Sequence, residues 1–340
     1  MSDCFRITSS YLTGEAHMKH ISTRRAFLRS AAAFGVAAGI SGSSVTFAAT
    51  DRPREVPDNA LKDRIGRLVD GFKGDVGVYV RHLPTGRTVR IRADELFPTA
   101  SMIKVSIMAS LFDRIVRGEL GYHEKLTYDG KYKYQYENED ILASFKIGET
   151  IKLSKLIMLM ITISDNSASI WAQVLAGTGT HINEVLAAHG FERLRINSRT
   201  PGREEAYKQY GWGQTTPYEM CRLFEKIRTG RMVSPAASEE MYRVLTRVYW
   251  SGEALSRIPP YVQAASKQGA LSRSRSETVL VNAPHGDYVF CAVSKNQEDT
   301  GWNDDNEGYR LMRDVSRECW RHFEPEYGWE PEAKVSEWNR

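Results

Sequence analysis

The sequence predicts an α+β protein in which one antiparallel sheet is interrupted by a long helical block. Alternating apolar residues predict two strands, near residues 76–80 and 89–91, before that block. Three further strand-like segments follow it between residues 264 and 293. Between the two groups of strands, apolar residues recur at helical spacing from Ile103 to about Arg228. We therefore expect a five-stranded antiparallel sheet that is split in sequence, with the first and last helices covering one face.

Residues 1–49 have the features of an export signal. Residues 22–29 read Ser-Thr-Arg-Arg-Ala-Phe-Leu-Arg, a twin-arginine signature, and a short, weakly apolar run follows. The small residue Ala48 suits cleavage by a signal peptidase, and because Met18 lies just before the twin arginines, residues 1–17 could be untranslated. We expect export by the twin-arginine pathway, to the periplasm or out of the cell, without stable membrane insertion after cleavage. A cytosolic protein with a disordered tail is the alternative.

The mature chain begins with a predicted helix and hairpin that lead to Ser101. Apolar positions at helical spacing predict a helix over residues 58–71, and a turn at residues 84–86 joins the first two strands. Ser-Met-Ile-Lys then starts an amphipathic helix, on which Lys104 shares a face with Ser101. A desolvated lysine amine can take the proton of a serine hydroxyl. The pair therefore predicts a nucleophilic serine, and a surface helix start is the alternative.

Two polar segments of the helical block are further candidates for the site. Ser164-Asp165-Asn166 lies between two predicted helices, where its side chains can point into a cleft. The alternative, which applies above all to Asp165, is a helix end followed by an N-cap. Residues 190–215 form a connection that is too long for a turn, and such loops often line active sites. Residues 216–219, Thr-Pro-Tyr-Glu, read as a capping box that starts the next helix.

The predicted return strands complete the sheet. The strand over residues 264–270 carries Lys-Gln-Gly-Ala and reaches the expected cleft. From this order we predict a discontinuous α/β domain, residues 50–98 and 235–340, and a helical domain, residues 99–234, with the catalytic cleft between them. The last helix carries one apolar stripe, formed by Leu311, Met312, Val315, Cys319, Trp320 and Phe323.

Composition and charge exclude several classes of function. Apolar residues make up 41% and charged residues 26% of the 340 residues, as in a globular chain with a sizeable core. The net charge is +4, and most of that excess lies in the leader, so nothing supports nucleic-acid binding. The eight histidines lack paired-ligand spacing, and we expect no metal site. We expect Cys221, Cys291 and Cys319 to be buried as small apolar residues, with one disulfide as the alternative.

The three motifs Ser101-x-x-Lys104, Ser164-Asp165-Asn166 and Lys267-Gln268-Gly269 together resemble those of the class A β-lactamase family and its penicillin-binding relatives. Their order and their intervals of 63 and 103 residues look close to what that family uses, and the resemblance covers roughly residues 55–323. It implies a serine β-lactamase-like, or DD-peptidase-like, fold in which an all-helical domain accompanies the sheet. It also implies a monomer that hydrolyses small-molecule β-lactams through a covalent acyl-serine intermediate, with no cofactor.

The resemblance implies a role for each catalytic residue. Ser101 is the acylated nucleophile, and Lys104 is its base or proton shuttle. Ser164 passes a proton to the departing lactam nitrogen.

The resemblance also implies how the substrate is held. Asn166 contacts the buried lysine and the amide side chain of the substrate, and Lys267 attracts the substrate carboxylate. Gln268, Gly269 and Ala270 continue the binding strand. The backbone N–H groups of the nucleophile and of Ala270 form the oxyanion hole, where preorganised donors stabilise the developing negative charge.

The third motif departs from the family pattern. Family members usually have Thr or Ser between the lysine and the glycine, and the hydroxyl helps to bind the substrate carboxylate. Here that position is Gln268, whose amide can donate a hydrogen bond but whose longer side chain alters the pocket floor. Arg273 and Arg275 follow and could supplement carboxylate binding, and solvated strand-end charges are the alternative.

The long loop departs further. Class A enzymes carry Glu-x-x-x-Asn there, and the glutamate activates the water that hydrolyses the acyl-enzyme, whereas Glu192 and Asn197 are five residues apart. Glu204 and Glu205 could supply this deacylation base, and simple solvated carboxylates are the alternative. Without a base the acyl-enzyme would persist. Two alternatives to a β-lactamase therefore stay open: an enzyme acting on peptidoglycan stems or small esters, and a slow-turnover penicillin-binding protein.

Overall fold

The computed structural model describes residues 54–134 and 140–331. The predicted export signal, residues 1–49, lies outside the described residues and stays a prediction. No helix in the described ranges has both the length and the apolar character needed to cross a membrane.

The strands of the described residues form three sheets. In chain order they are β1 (Val56–Pro57), β2 (Asp75–His82), β3 (Arg87–Ile91), β4 (Phe97–Pro98), β5 (Lys125–Thr127), β6 (Thr150–Lys152), β7 (Arg195–Ile196), β8 (Gly213–Thr215), β9 (Ala264–Leu271), β10 (Ser274–Val281) and β11 (Tyr288–Lys295). The main sheet has the order β1-β3-β2-β11-β10-β9. Its five longer strands are antiparallel and are split in sequence, which confirms the prediction. The two-residue β1 adds a parallel edge beside β3.

The helices alternate with these strands. They are α1 (Asn59–Asp70), α2 (Lys104–Val116), α3 (Leu153–Thr162), α4 (Asn166–Leu175), α5 (Thr178–Ala188), α6 (Glu204–Tyr210), α7 (Pro217–Arg228), α8 (Pro235–Leu245) and α9 (Glu307–Phe323). Single 3₁₀ turns occupy Ala100–Ile103, Leu142–Ser144 and Ala254–Arg257.

Alternate side chains along the strands pack into two different hydrophobic cores. Val78 and Val279 face a core shared with α1 and α9, in which Trp320 is 1% exposed. The neighbouring Tyr79 and Leu280 face a second core, built on the helices that follow Ser101. Because both faces of the central strands are covered, the residues of β2, β10 and β11 are buried at almost every position, including several polar ones.

The α+β class is confirmed, with one refinement to the helical part. That region also carries two small sheets, β5-β6 and β4-β8-β7. In the second of them, Phe97 pairs with Thr215, which ties the segment before Ser101 to the end of the long loop. The division of the chain into two domains, with boundaries near residues 98 and 234, stays a prediction.

The predicted capping box at residues 216–219 forms only in part. Thr216 caps α7, since its hydroxyl accepts a hydrogen bond from the backbone N–H of Glu219 at 3.1 Å. The carboxylate of Glu219 instead accepts three backbone N–H groups, those of residues 192, 193 and 194. Its negative charge thus holds the start of the long loop, a long-range role that a local motif does not reveal.

Val279→Ala should lower the free energy of unfolding by about 2 kcal/mol, because the fully buried side chain loses two methyl groups from a close-packed core. Urea titration followed by tryptophan fluorescence measures this. Val116→Ala is the matched control, since Val116 lies at the end of α2 with 54% of its surface exposed and should change stability by less than about 0.5 kcal/mol. Equal losses at the two positions would contradict the placement of β10 in the core.

Candidate active site

The nucleophile candidate lies on a strained turn at the start of α2. Ala100 has a φ of 45°, in the left-handed region that residues with a side chain rarely adopt. Met102 and Ile103 are fully buried and fix the 3₁₀ turn, while Ser101 between them and Ala100 remains partly exposed. The sequence thus presents a serine hydroxyl to solvent on a turn that the core holds rigidly.

Gly269 lets strand β9 approach this turn closely. A Cβ atom at this position would lie 2.6 Å from the carbonyl oxygen of Thr99 and 2.9 Å from the backbone nitrogen of Ser101. Only a residue without a side chain fits there. The third motif is therefore held against the backbone of the first, and Ala270 follows directly on the same strand.

Lys104 lies at the centre of the assembled motifs and is fully buried. Its Nζ donates to the carbonyl oxygen of Ser164 at 2.5 Å, to the Ser164 hydroxyl at 3.0 Å and to Oδ1 of Asn166 at 2.7 Å. Ser164 has a φ of 62°, a left-handed conformation at the end of α3. Lys104 and Ser164 are 60 residues apart in sequence, and the first two motifs thus meet through three hydrogen bonds of one amine.

Lys267 joins the same hydroxyl from the opposite side. Its Nζ donates to the Ser164 hydroxyl at 3.0 Å and to Oε1 of Gln268 at 2.9 Å, and it also contacts the Gln268 carbonyl oxygen at 3.1 Å. Ser164 therefore bridges two lysine amines. Ser101, Ser164, Asn166, Gln268 and Ala270 are all partly exposed, whereas both lysines are buried beneath them.

Burial controls the protonation of both lysines. It lowers the pKa of Lys104 from 10.5 to about 7, and the negative charges of Asp140 and Asp165 only partly oppose this effect. Burial also lowers the pKa of Lys267 well below its ordinary value, and the positive charge of Lys104 lowers it further. Near neutral pH, Lys104 is thus available as a neutral amine, the form that can accept a proton.

Two carboxylates position the second motif. Asp165 caps α4 by accepting the backbone N–H of Ala168 at 2.7 Å, the role that the alternative reading gave it. Asp140 accepts the backbone N–H of Asn166 at 2.8 Å and the Ser167 hydroxyl at 2.7 Å. Sequence reasoning missed Asp140, because no motif surrounds it and its partners lie 26 and 27 residues further along the chain.

The candidate deacylation bases face solvent. Glu204 and Glu205 form the first turn of α6, where acidic residues favour the helix dipole. One oxygen of Glu204 accepts the backbone N–H of Gly202 at 3.0 Å, and Glu205, with 86% of its side chain exposed, pairs with Lys208 at 2.6 Å. Glu192, the glutamate that precedes Asn197 in the altered loop motif, is likewise exposed.

Asn197 of the same loop is buried and serves the loop itself. Its Oδ1 accepts from Nε of Arg203 at 2.7 Å, and Arg203 also donates to Oε1 of Gln214 at 2.8 Å. These bonds close the long loop over β8.

Other candidate features lie apart from these motifs. Cys221, Cys291 and Cys319 are free and buried, as the burial reading predicted. Within the described ranges, no cluster of three or more His, Cys, Asp and Glu residues could hold a metal ion. A cavity of about 440 Å³ is lined by residues between Arg54 and Gly86 and contains none of the motif residues.

Comparisons with known proteins agree with this arrangement. The model of the beta-lactamase enzyme family matches residues 60–323. A mutant of PBP-A, solved as an acyl-enzyme complex with penicillin G, is 25% identical and superimposes with a TM-score of 0.71 over 81% of this chain and 100% of that one.

Two β-lactamases share the fold at lower identity. The enzyme from Sphaerobacter thermophilus is 20% identical, with a TM-score of 0.68 over 77% of this chain and 97% of its own. The class A enzyme from Mycobacterium abscessus is 17% identical, with a TM-score of 0.68 over 77% and 99% of the two chains.

The titration of Lys104 can be observed directly by NMR of lysine labelled with ¹³C at Cε. We expect one lysine with a pKa of about 7, which is lost in Lys104→Met and retained in the surface control Lys208→Met. Because the pKa of the folded state is below that of the unfolded chain, protonation of Lys104 destabilises the fold below about pH 7, and this cost fades as the pH rises toward 10.5. A spectrum in which every lysine titrates above pH 9 would contradict the burial argument.

Proposed function

The chain belongs to the beta-lactamase enzyme family, and on that premise we propose that it is an exported serine hydrolase that opens β-lactams through a covalent acyl-Ser101 intermediate. The coarser statement, a hydrolase of the serine β-lactamase and penicillin-binding type, follows from the family itself. One observation carries the finer proposal: a partly exposed serine lies one helical turn from a buried lysine whose pKa is lowered to about 7.

In the proposed acylation, the Ser101 oxygen attacks the lactam carbonyl carbon and its proton passes to neutral Lys104. The carbonyl oxygen, which gains negative charge, would lie between the backbone N–H groups of Ser101 and Ala270. Each donor of this kind is typically worth about 10²–10³ in rate. The close approach at Gly269 supports this step, because it holds both backbone segments together before substrate binds.

The lactam C–N bond breaks as its nitrogen receives a proton from the Ser164 hydroxyl. The hydroxyl oxygen lies 3.0 Å from each lysine Nζ, so Lys104 can replace the proton that Ser164 gives up. The proton of the nucleophile thereby reaches the leaving nitrogen without release to solvent. Asn166 and Gln268 border this path and would contact the substrate side chains.

The predicted leader and the charge of the chain support an extracytoplasmic enzyme that acts on a small molecule. The predicted twin-arginine leader supports export to the periplasm or the medium. The nearly balanced charge of the mature chain gives no support for nucleic acid as a partner. We propose a monomer with no cofactor.

A slow-turnover penicillin-binding protein is the second candidate, and the long loop favours it. Hydrolysis of the acyl-enzyme needs a base that orients and deprotonates water. Glu192, Glu204 and Glu205 are exposed, and a carboxylate surrounded by bulk water does not hold one water molecule in a fixed position. Peptidoglycan stems or small esters are the alternative acyl donors for the same serine.

Intact-protein mass spectrometry over time, with penicillin G or nitrocefin, tests the proposal. We expect an adduct of one β-lactam per chain, absent in Ser101→Ala because the attacking oxygen is removed, and unchanged in the surface control Ser144→Ala. A transient adduct with continuing loss of substrate would support a β-lactamase, and a persistent adduct would support the slow-turnover acceptor. No adduct with the wild-type protein would overturn the role of Ser101.

Glu204→Gln and Glu205→Gln should each change the rate of adduct decay by less than about twofold. Both carboxylates are solvated, and neither contributes a hydrogen bond to the lysine and serine groups of the site. The decay is measured by removing free β-lactam and following the adduct mass. A decrease of about 10² or more in either variant, the size expected for loss of a general base, would instead assign that glutamate as the deacylation base.

A further inference from the structure

The two buried lysines have no N–H group left to bind a substrate carboxylate, because all of them already have hydrogen-bond partners. A protonated lysine has three N–H groups and a neutral lysine has two, and each Nζ already has three oxygen atoms as hydrogen-bond partners. For Lys267 these are the Ser164 hydroxyl and two oxygens of Gln268. For Lys104 they are two oxygens of Ser164 and the amide oxygen of Asn166.

Gln268 supplies two of the three hydrogen-bond partners of the Lys267 amine at the exposed end of the strand. The side-chain oxygen of Gln268 faces Nζ of Lys267 at 2.9 Å, and its NH₂ group therefore points the other way. The partly exposed Gln268 thus offers the cleft a neutral donor. A neutral donor suits a carbonyl oxygen, whereas a carboxylate that leaves water needs a charged partner to offset its desolvation.

The arginines that follow on this hairpin are committed elsewhere. Arg275 is fully buried, donates to the carbonyl oxygens of Ser274 and Gly301, and lies against the rings of Trp302 and Tyr309. The neighbouring Arg273 donates to two backbone carbonyl oxygens at the end of β11. Neither guanidinium is therefore directed at Gln268, so these arginines do not help to bind a substrate carboxylate there.

Two acidic side chains lie behind the same strand. Glu277 stands directly opposite Gln268 in the β9–β10 register and is 1% exposed. Its carboxyl group accepts from the Ser266 hydroxyl at 2.6 Å and from the backbone N–H of Ala254 at 2.7 Å. Glu253 comes just before Ala254, and its Oε2 is buried with no hydrogen-bond partner among the described residues.

Two buried acidic groups belong to the surroundings of Lys267. Both Glu253 and Glu277 act electrostatically on Lys267, while Arg313 and Asp304 face Glu253 with opposite signs. Burial and the neighbouring Glu253 raise the pKa of Glu277 to about 8, so this carboxyl group is mostly protonated near neutral pH. A substrate carboxylate would add a third acidic group to this buried region.

We propose that the acyl donor presents an uncharged carbonyl group, an amide or ester, to the end of the cleft formed by Lys267 and Gln268, and that Gln268 determines this specificity. The inference rests on the proposed acylation of Ser101. Gln268 does so by occupying the Nζ donors of Lys267 and offering its own NH₂ group.

Penicillin G and its methyl ester test this directly, since they differ only in the charge of the group concerned. The second-order rate constant for acylation of Ser101 is measured for each by mass spectrometry, and the acid-to-ester ratio is compared among variants. In the wild-type protein the ester should react at least as fast as the acid. Gln268→Thr, which frees a donor of Lys267, should raise the ratio about tenfold.

Glu324→Gln is the control for a change away from the site, because this buried carboxylate pairs with His285 at 2.7 Å and not with the binding strand. It should leave the ratio unchanged. Using a ratio cancels general losses of activity. A wild-type protein that prefers the acid more than tenfold, or a Gln268→Thr variant whose ratio equals that of wild type, would overturn the inference. Absence of an adduct with both compounds would instead overturn the proposed function, and the inference with it.

Discussion

One hydroxyl oxygen, that of Ser164, is shared by two lysine amines that have no contact with solvent, and the chemistry of the site depends on this arrangement. Two ammonium groups on a common acceptor repel each other, and burial removes the water that would screen them. The pair lowers its free energy by releasing a proton, so a base is created by the architecture without a histidine. Asp140 and Asp165 moderate this effect, because their charges favour protonated Lys104. The pKa of Lys104 therefore stays near neutral pH, where this amine can both accept and release a proton.

The sheet makes this arrangement possible by bringing distant segments to one edge. Strand β9 is the edge strand, and its Gly269 packs on the backbone of Ser101, while Lys267 reaches the loop between α3 and α4. The helical block that separates β3 from β9 in sequence folds back over the sheet and supplies Ser164. Each motif is thus rigid because a different element holds it, and their mutual distances are fixed by two hydrophobic cores that meet at the sheet.

Local patterns predicted the elements well, and contacts between distant residues account for what they missed. Alternation at Val76, Val78 and Val80 predicted β2, and Thr216-Pro217 predicted the start of α7, because these signals act within a few residues. The partners of Glu219 and Asp140 lie more than 20 residues away, so no window along the chain contains them. The orientation of Gln268 was likewise hidden, since it depends on the lysine that it faces. The sequence could not show whether Glu204 or Glu205 is the deacylation base, because exposure is a property of the folded chain and a loop sequence does not encode it.

The pairing of β2 with β11 joins segments that are about 200 residues apart, and α1 packs on α9 through Arg64 and Glu318 at 2.8 Å. Contacts of such high sequence separation carry a large loop-closure entropy, which makes folding slow compared with that of a helical bundle of similar size. Strand β3 can pair with β1 and β2 early in synthesis, but the other edge of β2 has no strand partner until β11, residues 288–295, has been synthesised. The centre of the sheet is therefore completed late. A secretion route that accepts only folded cargo, as the predicted leader indicates, would have to wait for this pairing before export.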